Sequence, residues 1–454
     1  MKENIGHDID DCIPTYIHTC EKNIYPVGKM ESKTEVNPLE RPIEYDSLTE
    51  NAFTAREINL ENILSRHQPK KELISKRQNF DSYYPADFLS SIEPYLPKEM
   101  ISYQNYAEIK NLAKKFTGNL TSFFGFESRL GNPESKSDYM LSISSKRGER
   151  EALFDYLFSN NFPEKFKKQT EWARITNFTA CWADTKSSLY DKILGIWFEF
   201  DIVDSSTETP IPNIFLHTIS INKKDHKNIQ WFTKTALPLL MGQNLSQNIE
   251  KQLLNSIKKL PENASLFNVG IMLSRPNYGM RVVVKRLNPK QIVPYLKSLG
   301  WSDETNELCT LVNELNKYSN RIVLSFDILE TGIGPKIGIE CGFYPKDHDE
   351  YSSEPRWRGF LRYLVSKNLC LPEKCNVLLD FVFDQEPVPT FMSDEKQPLI
   401  ISTKIQNEEH ISTLVRQIGH IKIVYKSHQP LEAKAYYGAR LFSMKQSQYT
   451  KMVR

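Results

Sequence analysis

Long apolar runs are missing from this sequence. Nowhere in its 454 residues does an uninterrupted apolar stretch approach the roughly 20 residues a helix needs to cross a bilayer. The N-terminal MKENIGHDIDDCIPTYIH also lacks the apolar core of a signal peptide. Both absences point to a cytoplasmic protein without a membrane span. Nor is either charge in excess: 58 Lys and Arg stand against 56 Asp and Glu, which gives no basis for wrapping nucleic acid or coating an anionic membrane. Any charge that matters has to be local. The seven cysteines, Cys12, Cys20, Cys181, Cys309, Cys341, Cys370 and Cys375, are odd in number and scattered, without the CxxC spacing of a zinc site, and read as reduced structural thiols.

Familiar catalytic signatures are absent as well. There is no GxGxxG after a strand, no P-loop, no HExxH, no nucleophile elbow and no paired aspartate-rich helical motif. The glycines of ETGIGPKIG lie between two strand-like runs, where a hairpin turn accounts for them better than a phosphate cradle does. EPRWRGFLRYL is basic with interleaved aromatics, but its spacing fits an amphipathic helix with Arg356, Arg358 and Arg362 exposed. His420 and His428 flank a strand and a turn without a third ligand at metal spacing.

What the chain does contain is a recurring pair of alternating runs followed by a helical stretch. Residues 1–80 are polar and broken by proline, and read as an extension or cap; residues 81–454 hold the repeats. The paired runs are SFFGFES with DYMLSISS, ILGIWFEFDIV with IPNIFLHTIS, SLFNVGIMLS with MRVVVKRL, RIVLSFDIL with PKIGIECGF, and HIKIVYK with EAKAYYGARL. The last pair is preceded by EEHISTLVRQI, whose apolar spacing predicts a helix. Single strands do not alternate with single helices, so a doubly wound parallel sheet is excluded. The expected class is α+β: a closed ten-stranded antiparallel barrel of five αββα repeats, helices outside. The alternative is an open sheet with one face in water.

Period-two alternation assigns the faces. Leu324 and Phe326 toward the helices turn Ser325 and Asp327 inward; Phe198 and Phe200 outward turn Trp197, Glu199 and Asp201 inward. The same rule places Glu127, Arg129, Arg281, Lys285, Lys336, Glu340, Lys422, Lys434 and Tyr436 inside. In LEAKAYYGARL, Ala433 and Ala435 then let helices approach closely, while Lys434 and Tyr436 face a polar lumen. Trp197, Phe215, Met272 and Tyr436 are interspersed with these charges, which suits a ligand cavity better than a wet surface. Each inward Lys or Arg is equally open to an internal ion pair with a neighbouring acid.

Five such hairpins, with KAY at Lys434 and Tyr436, RVVVK at Arg281 and Lys285, and GFES at Glu127, resemble the αββα-barrel (ABBA) aromatic prenyltransferases over residues 100–445. The resemblance implies a prenyltransferase of secondary metabolism and natural-product biosynthesis, moving an allylic group from a diphosphate donor to an aromatic small molecule or peptide side chain. It implies that Glu127 takes the acceptor's proton, that Arg281, Lys285, Lys336, Lys422, Lys434 and Tyr436 bind the diphosphate, and that Trp197 and Phe215 shield the allyl cation. The sequence departs from the family in the second hairpin, where NIFLHTI offers no cation apart from His217, and in its extra acids Glu199, Asp201, Asp327, Glu340 and Glu432. These acids either neutralise the basic residues or recruit Mg²⁺. A barrel that only holds a natural-product precursor or leader peptide is the alternative function.

Overall fold

Ten strands hydrogen-bond in a ring. The computed structural model describes residues 85–445 apart from 117–119, 204–209, 276–278, 304, 345–353, 384–387, 390, 393–397, 400 and 406–407. The extension expected over residues 1–80, with Cys12 and Cys20, lies outside the described residues. The strands are β1 (Phe123–Arg129), β2 (Ser137–Ser144), β3 (Ile193–Phe200), β4 (Asn213–Ile221), β5 (Ser265–Ile271), β6 (Met280–Lys285), β7 (Arg321–Leu329) and β8 (Gly332–Gly342). Short strands β9 (Val388–Pro389), β10 (Phe391–Met392), β11 (Pro398–Leu399) and β12 (Ile401–Ile405) precede the two long ones, β13 (Glu408–Tyr425) and β14 (Glu432–Lys445).

β1 through β8 pair in sequence order, β14 pairs with β1, and β13 joins β14 to β8, every contact being antiparallel. The ring therefore has no free edge around its circumference. The closing ladder runs Ile421↔Cys341, Lys422↔Glu340 and Ile423↔Ile339, and it rules out the open sheet. β9 and β12 pair with the first half of β13, beyond the ring.

Eleven α-helices among the described residues surround the barrel. They include α1 (Pro85–Ile92), α2 (Tyr103–Ala113), α3 (Glu149–Leu157), α4 (Glu164–Lys167), α5 (Thr170–Ala183), α6 (Leu237–Met241), α7 (Gln247–Lys258), α8 (Pro289–Ser298), α9 (Thr305–Leu315), α10 (Arg356–Ser366) and α11 (Pro372–Phe383). Local signals start several of them: Ser102 caps α2 through the Asn105 amide, and Asn288 forms a capping box at α8 with Pro289 in its first turn. α10 buries Trp357, Phe360, Leu361 and Leu364 and exposes Arg358 and Arg362 as its spacing predicts. Arg356 differs; it is half-buried and ion-paired with Glu354 at 2.6 Å.

The outer strand face is the hydrophobic core. Phe124 meets Phe88 of α1, Phe198 meets Trp172 of α5, and Phe326 meets Tyr295 of α8, at ring separations of 6.4, 5.9 and 6.1 Å. Burying such rings contributes about 25 cal/mol per Å² of apolar surface removed from water, and it fixes strand register because a one-residue slip would turn every ring into the lumen. Among the described residues Cys181, Cys309, Cys341, Cys370 and Cys375 are free thiols.

One expected element is corrected. EEHISTLVRQI is the first half of β13, not a helix. Its apolar residues Ile411, Leu414, Val415 and Ile418 imitate helical spacing because both faces of this strand are covered: Thr413 and Val415 on one, Leu414 and Ile418 on the other, are all buried. Pairing with the extended end of β14, Val415↔Arg440 and Leu414↔Leu441, decides the conformation. Arg416 joins the helix-facing side by lying over the Tyr95 ring at 4.1 Å.

Ala433 and Ala435 are buried on the outer face beside Tyr437, whose ring packs against Phe381 of α11 at 5.4 Å. Ala435→Leu should overpack this layer and cost about 1–3 kcal/mol, read as a lowered midpoint in urea unfolding. An unchanged midpoint would show that the layer has slack.

Candidate functional site

The inner strand face surrounds a cavity with about 820 Å³ of empty space, part of it continuous with solvent. Its lining includes Glu127 of β1, Asp138 and Met140 of β2, Glu199 of β3, Arg281 of β6, Ser325 and Asp327 of β7, Lys336 of β8, Lys422 of β13, and Lys434 and Tyr436 of β14. Asp201, Met272, Arg275 and Glu432 complete it near the hairpin turns. Alternation brings these groups together from eight strands.

Acids and bases in and beside the cavity are interleaved rather than segregated. Lys434 Nζ donates to Glu127 Oε1 at 2.6 Å, and the Tyr436 hydroxyl donates to Glu127 Oε2. Arg281 Nε donates to Asp327 Oδ1 at 2.9 Å, Lys422 Nζ lies 3.5 Å from Glu340 Oε1, and Arg275 Nη2 donates to Asp201 Oδ1 at 2.7 Å. Arg129 pairs with Glu432 at 2.8 Å, both well exposed. His420, stacked on Tyr436 with ring centroids 4.2 Å apart, lies 3.9 Å from Glu340. The lining carries six carboxylates against five cations, so fixed charge alone gives no strongly positive field.

The extra acids of the sequence thus act mainly as partners of bases. Among the described residues no three His, Cys, Asp or Glu side chains converge as a metal-holding group.

Proton affinities follow the pairing. Burial opposes ionisation of Glu127, but Lys434 and Tyr436, with Lys422 nearby, outweigh it and hold the carboxyl down at about 2. At Glu199 and Asp138 the nearby cations, Lys422 and Arg281 for the first and Lys434 for the second, do not offset burial. Burial and the Glu127 charge push Glu199 up to about 8 and Asp138 up to about 6. Burial depresses His420 to about 4, and burial with the Arg281 charge lowers Lys422.

Two glycines make room for this arrangement. A Cβ at Gly338 would sit 2.5 Å from Lys422 Cε, and one at Gly270 would sit 2.5 Å from the Phe215 ring and 2.9 Å from Met272 Cε. Lys422 crosses over Gly338, and Phe215 and Met272 share the space above Gly270.

A scan against protein-family models and a search of curated proteins find no match to this chain. Among solved structures, prenyltransferase PriB in ternary complex with L-tryptophan and dimethylallyl thiolodiphosphate is 9% identical, covers 78% of this chain and 94% of its own, and gives a TM-score of 0.44. The 5-dimethylallyl tryptophan synthase of Streptomyces coelicolor gives 10%, 77%, 92% and 0.41 in the same order, and AnaPT of Neosartorya fischeri 12%, 84%, 97% and 0.40. Overlaps of this size do not bear on the reaction; the fold stands on its own strand pairing. It is an αββα barrel.

Of the residues selected from sequence, Glu127, Arg281, Lys336, Lys422, Lys434 and Tyr436 line the one cavity. Lys336 is exposed at it. Lys285 does not line it; it is buried with its ammonium 5.2 Å from the Phe267 ring. Trp197 and Phe215 are register partners on the inner face, also outside the lining, with Trp197 set edge-on to Phe123 at 5.0 Å. Sequence reasoning missed Asp138 and Met140, which alternation with Tyr139 and Leu141 would have turned inward, and His420, two residues from Lys422. Arg275 belongs to a turn, where no alternation exists to assign it.

Glu199 holds a proton more tightly folded than unfolded, where a carboxyl titrates near 4.5. Its contribution to stability is complete below the unfolded value and is lost as pH rises through about 8. Glu199→Gln, which cannot ionise, should gain stability relative to wild type between about pH 6 and pH 9. The difference in urea midpoints checks this; a difference independent of pH would refute the assignment.

Proposed function

We propose that the barrel is a prenyltransferase-like enzyme that moves an allylic group from a diphosphate donor to an aromatic small molecule or peptide side chain. The observation that carries this reading is the meeting of Arg281, Lys336, Lys422, Lys434 and Tyr436 in one cavity around Glu127. Charge-assisted bonds from these groups to a diphosphate strengthen as negative charge develops on it in a water-poor lumen. The allylic C–O bond breaks with its electron pair leaving on the diphosphate, and a π pair of the acceptor ring forms the new bond to the allyl carbon. The proton then released as aromaticity returns passes to a carboxylate oxygen of Glu127. Met140, Met272 and Tyr436 in the lining, with Phe215 beside Met272 and Trp197 next along the inner face, shield the cation from water. Lys285 would act on the diphosphate only as a more distant charge.

A second reading has an observation of its own. Arg281, Lys422 and Lys434 each have a carboxylate partner, which suits a barrel that holds a natural-product precursor or leader peptide without transferring anything.

Calorimetric titration with dimethylallyl, geranyl and farnesyl diphosphates, with and without Mg²⁺, separates the two. The enzyme reading expects saturable binding of at least one donor, weakened about tenfold or more in Lys434→Ala, as loss of a buried charge contact entails. No binding of any of the three would leave the holding barrel as the function.

A further inference from the structure

We propose that Glu127 and Glu340 compete with the donor for its own binding groups: an entering diphosphate takes Lys434 and Tyr436 from Glu127 and Lys422 from Glu340, and this exchange frees the Glu127 carboxylate to act as base. The inference rests on the donor reading given above. Both oxygens of Glu127 are engaged, Oε1 by Lys434 at 2.6 Å and Oε2 by Tyr436. A carboxylate held twice in this way is a poor proton acceptor. Its two donors sit two residues apart on β14: Tyr436 is directly opposite it across the β1–β14 ladder, and Lys434 lies opposite Arg129, two positions along β1. Lys422 is the register partner of both Lys434 and Glu340. One anion placed among these side chains therefore reaches all three donors at once.

The exchange needs only side-chain rotation. Lys434 and Glu127 keep 18% and 14% of their side-chain surface, Lys422 and Glu340 9% and 15%, and all but Glu340 line the cavity. Gly338, with no Cβ to block it, leaves the Lys422 stem its path across β8. A diphosphate carries more charge than either carboxylate and offers acceptors to several donors simultaneously, so it can displace both where a neutral ligand cannot. Donor arrival and base release become one event, and the acceptor's proton has nowhere to go until the donor is bound.

The test is titration of the full chain with inorganic pyrophosphate. Glu127→Gln and Glu340→Gln should each bind it about tenfold or more tightly than wild type, the scale of a close charge pair, while Glu127→Gln loses prenyl transfer. Asp138→Asn controls for charge alone: it removes an acid from the same lining without releasing a cation, and should gain by a clearly smaller factor. If Glu127→Gln fails to fold by thermal unfolding, Glu127→Asp serves, since it keeps the charge but shortens the reach to Lys434 and should also bind more tightly. Equal or weaker binding in the folded Glu127 and Glu340 variants, or an equal gain in Asp138→Asn, overturns the exchange. Wild type that binds dimethylallyl diphosphate with no gain in the variants sinks the exchange alone. Absence of binding of either anion to wild type and all variants sinks the donor reading with it.

Discussion

The ladder between β13 and β8 is the constraint on which the rest depends. Five register pairs, from Ile421↔Cys341 to Tyr425↔Ile337, turn a sheet with two edges into a ring. Before closure, Lys422, Glu340, Lys434 and Glu127 would lie along a face open to water, where ion pairs contribute little. Closure puts the same residues around an enclosed space, where an unpaired charge is costly and a paired one is held firmly. The apolar outer face supplies the free energy for this, because Phe, Ile and Val side chains on the strands bury against helices on every side of the ring.

The lumen reflects that balance. Where cations face carboxylates, the pairs hold: Glu127 is kept ionised and Lys434, despite burial, is kept charged by it. Where burial and neighbouring carboxylates outweigh the nearby cations, as at Glu199 beside Glu127 and Asp201 with Lys422 and Arg281 opposing them, the proton is held more tightly. The cavity lining therefore combines a carboxyl held ionised, Glu127, with one that keeps its proton to higher pH, Glu199. A ligand that rearranges the pairs changes the charge state of the site as well as its occupancy.

Much of the architecture was legible because period-two alternation is a local property and the five hairpins repeat it. Phe198 and Phe200 against Trp197 and Glu199, or Leu324 and Phe326 against Ser325 and Asp327, state their faces in a few residues. The reading failed where alternation did not carry the information. The start of β13 is covered on both faces and so took on helical spacing, and the bulge between Ile418 and His420 shifts its phase. Asp138 was legible but overlooked, whereas Arg275, in a turn, had no phase to read.

By itself, the sequence determined the ten strands of the ring, their hairpin pairing and which side chains share a face, since these follow from spacing along the chain. Only the tertiary structure decided how far along the barrel each inward residue stands. Strand stagger is set by packing between distant segments, so Arg281 and Lys285, both inward on one strand, end up one in the cavity and one buried beside Phe267. The partner of each charge was decided at the same stage. Glu127 and Lys434 are separated by 307 positions, and no local pattern relates residues that far apart; closing the ring brings them into contact.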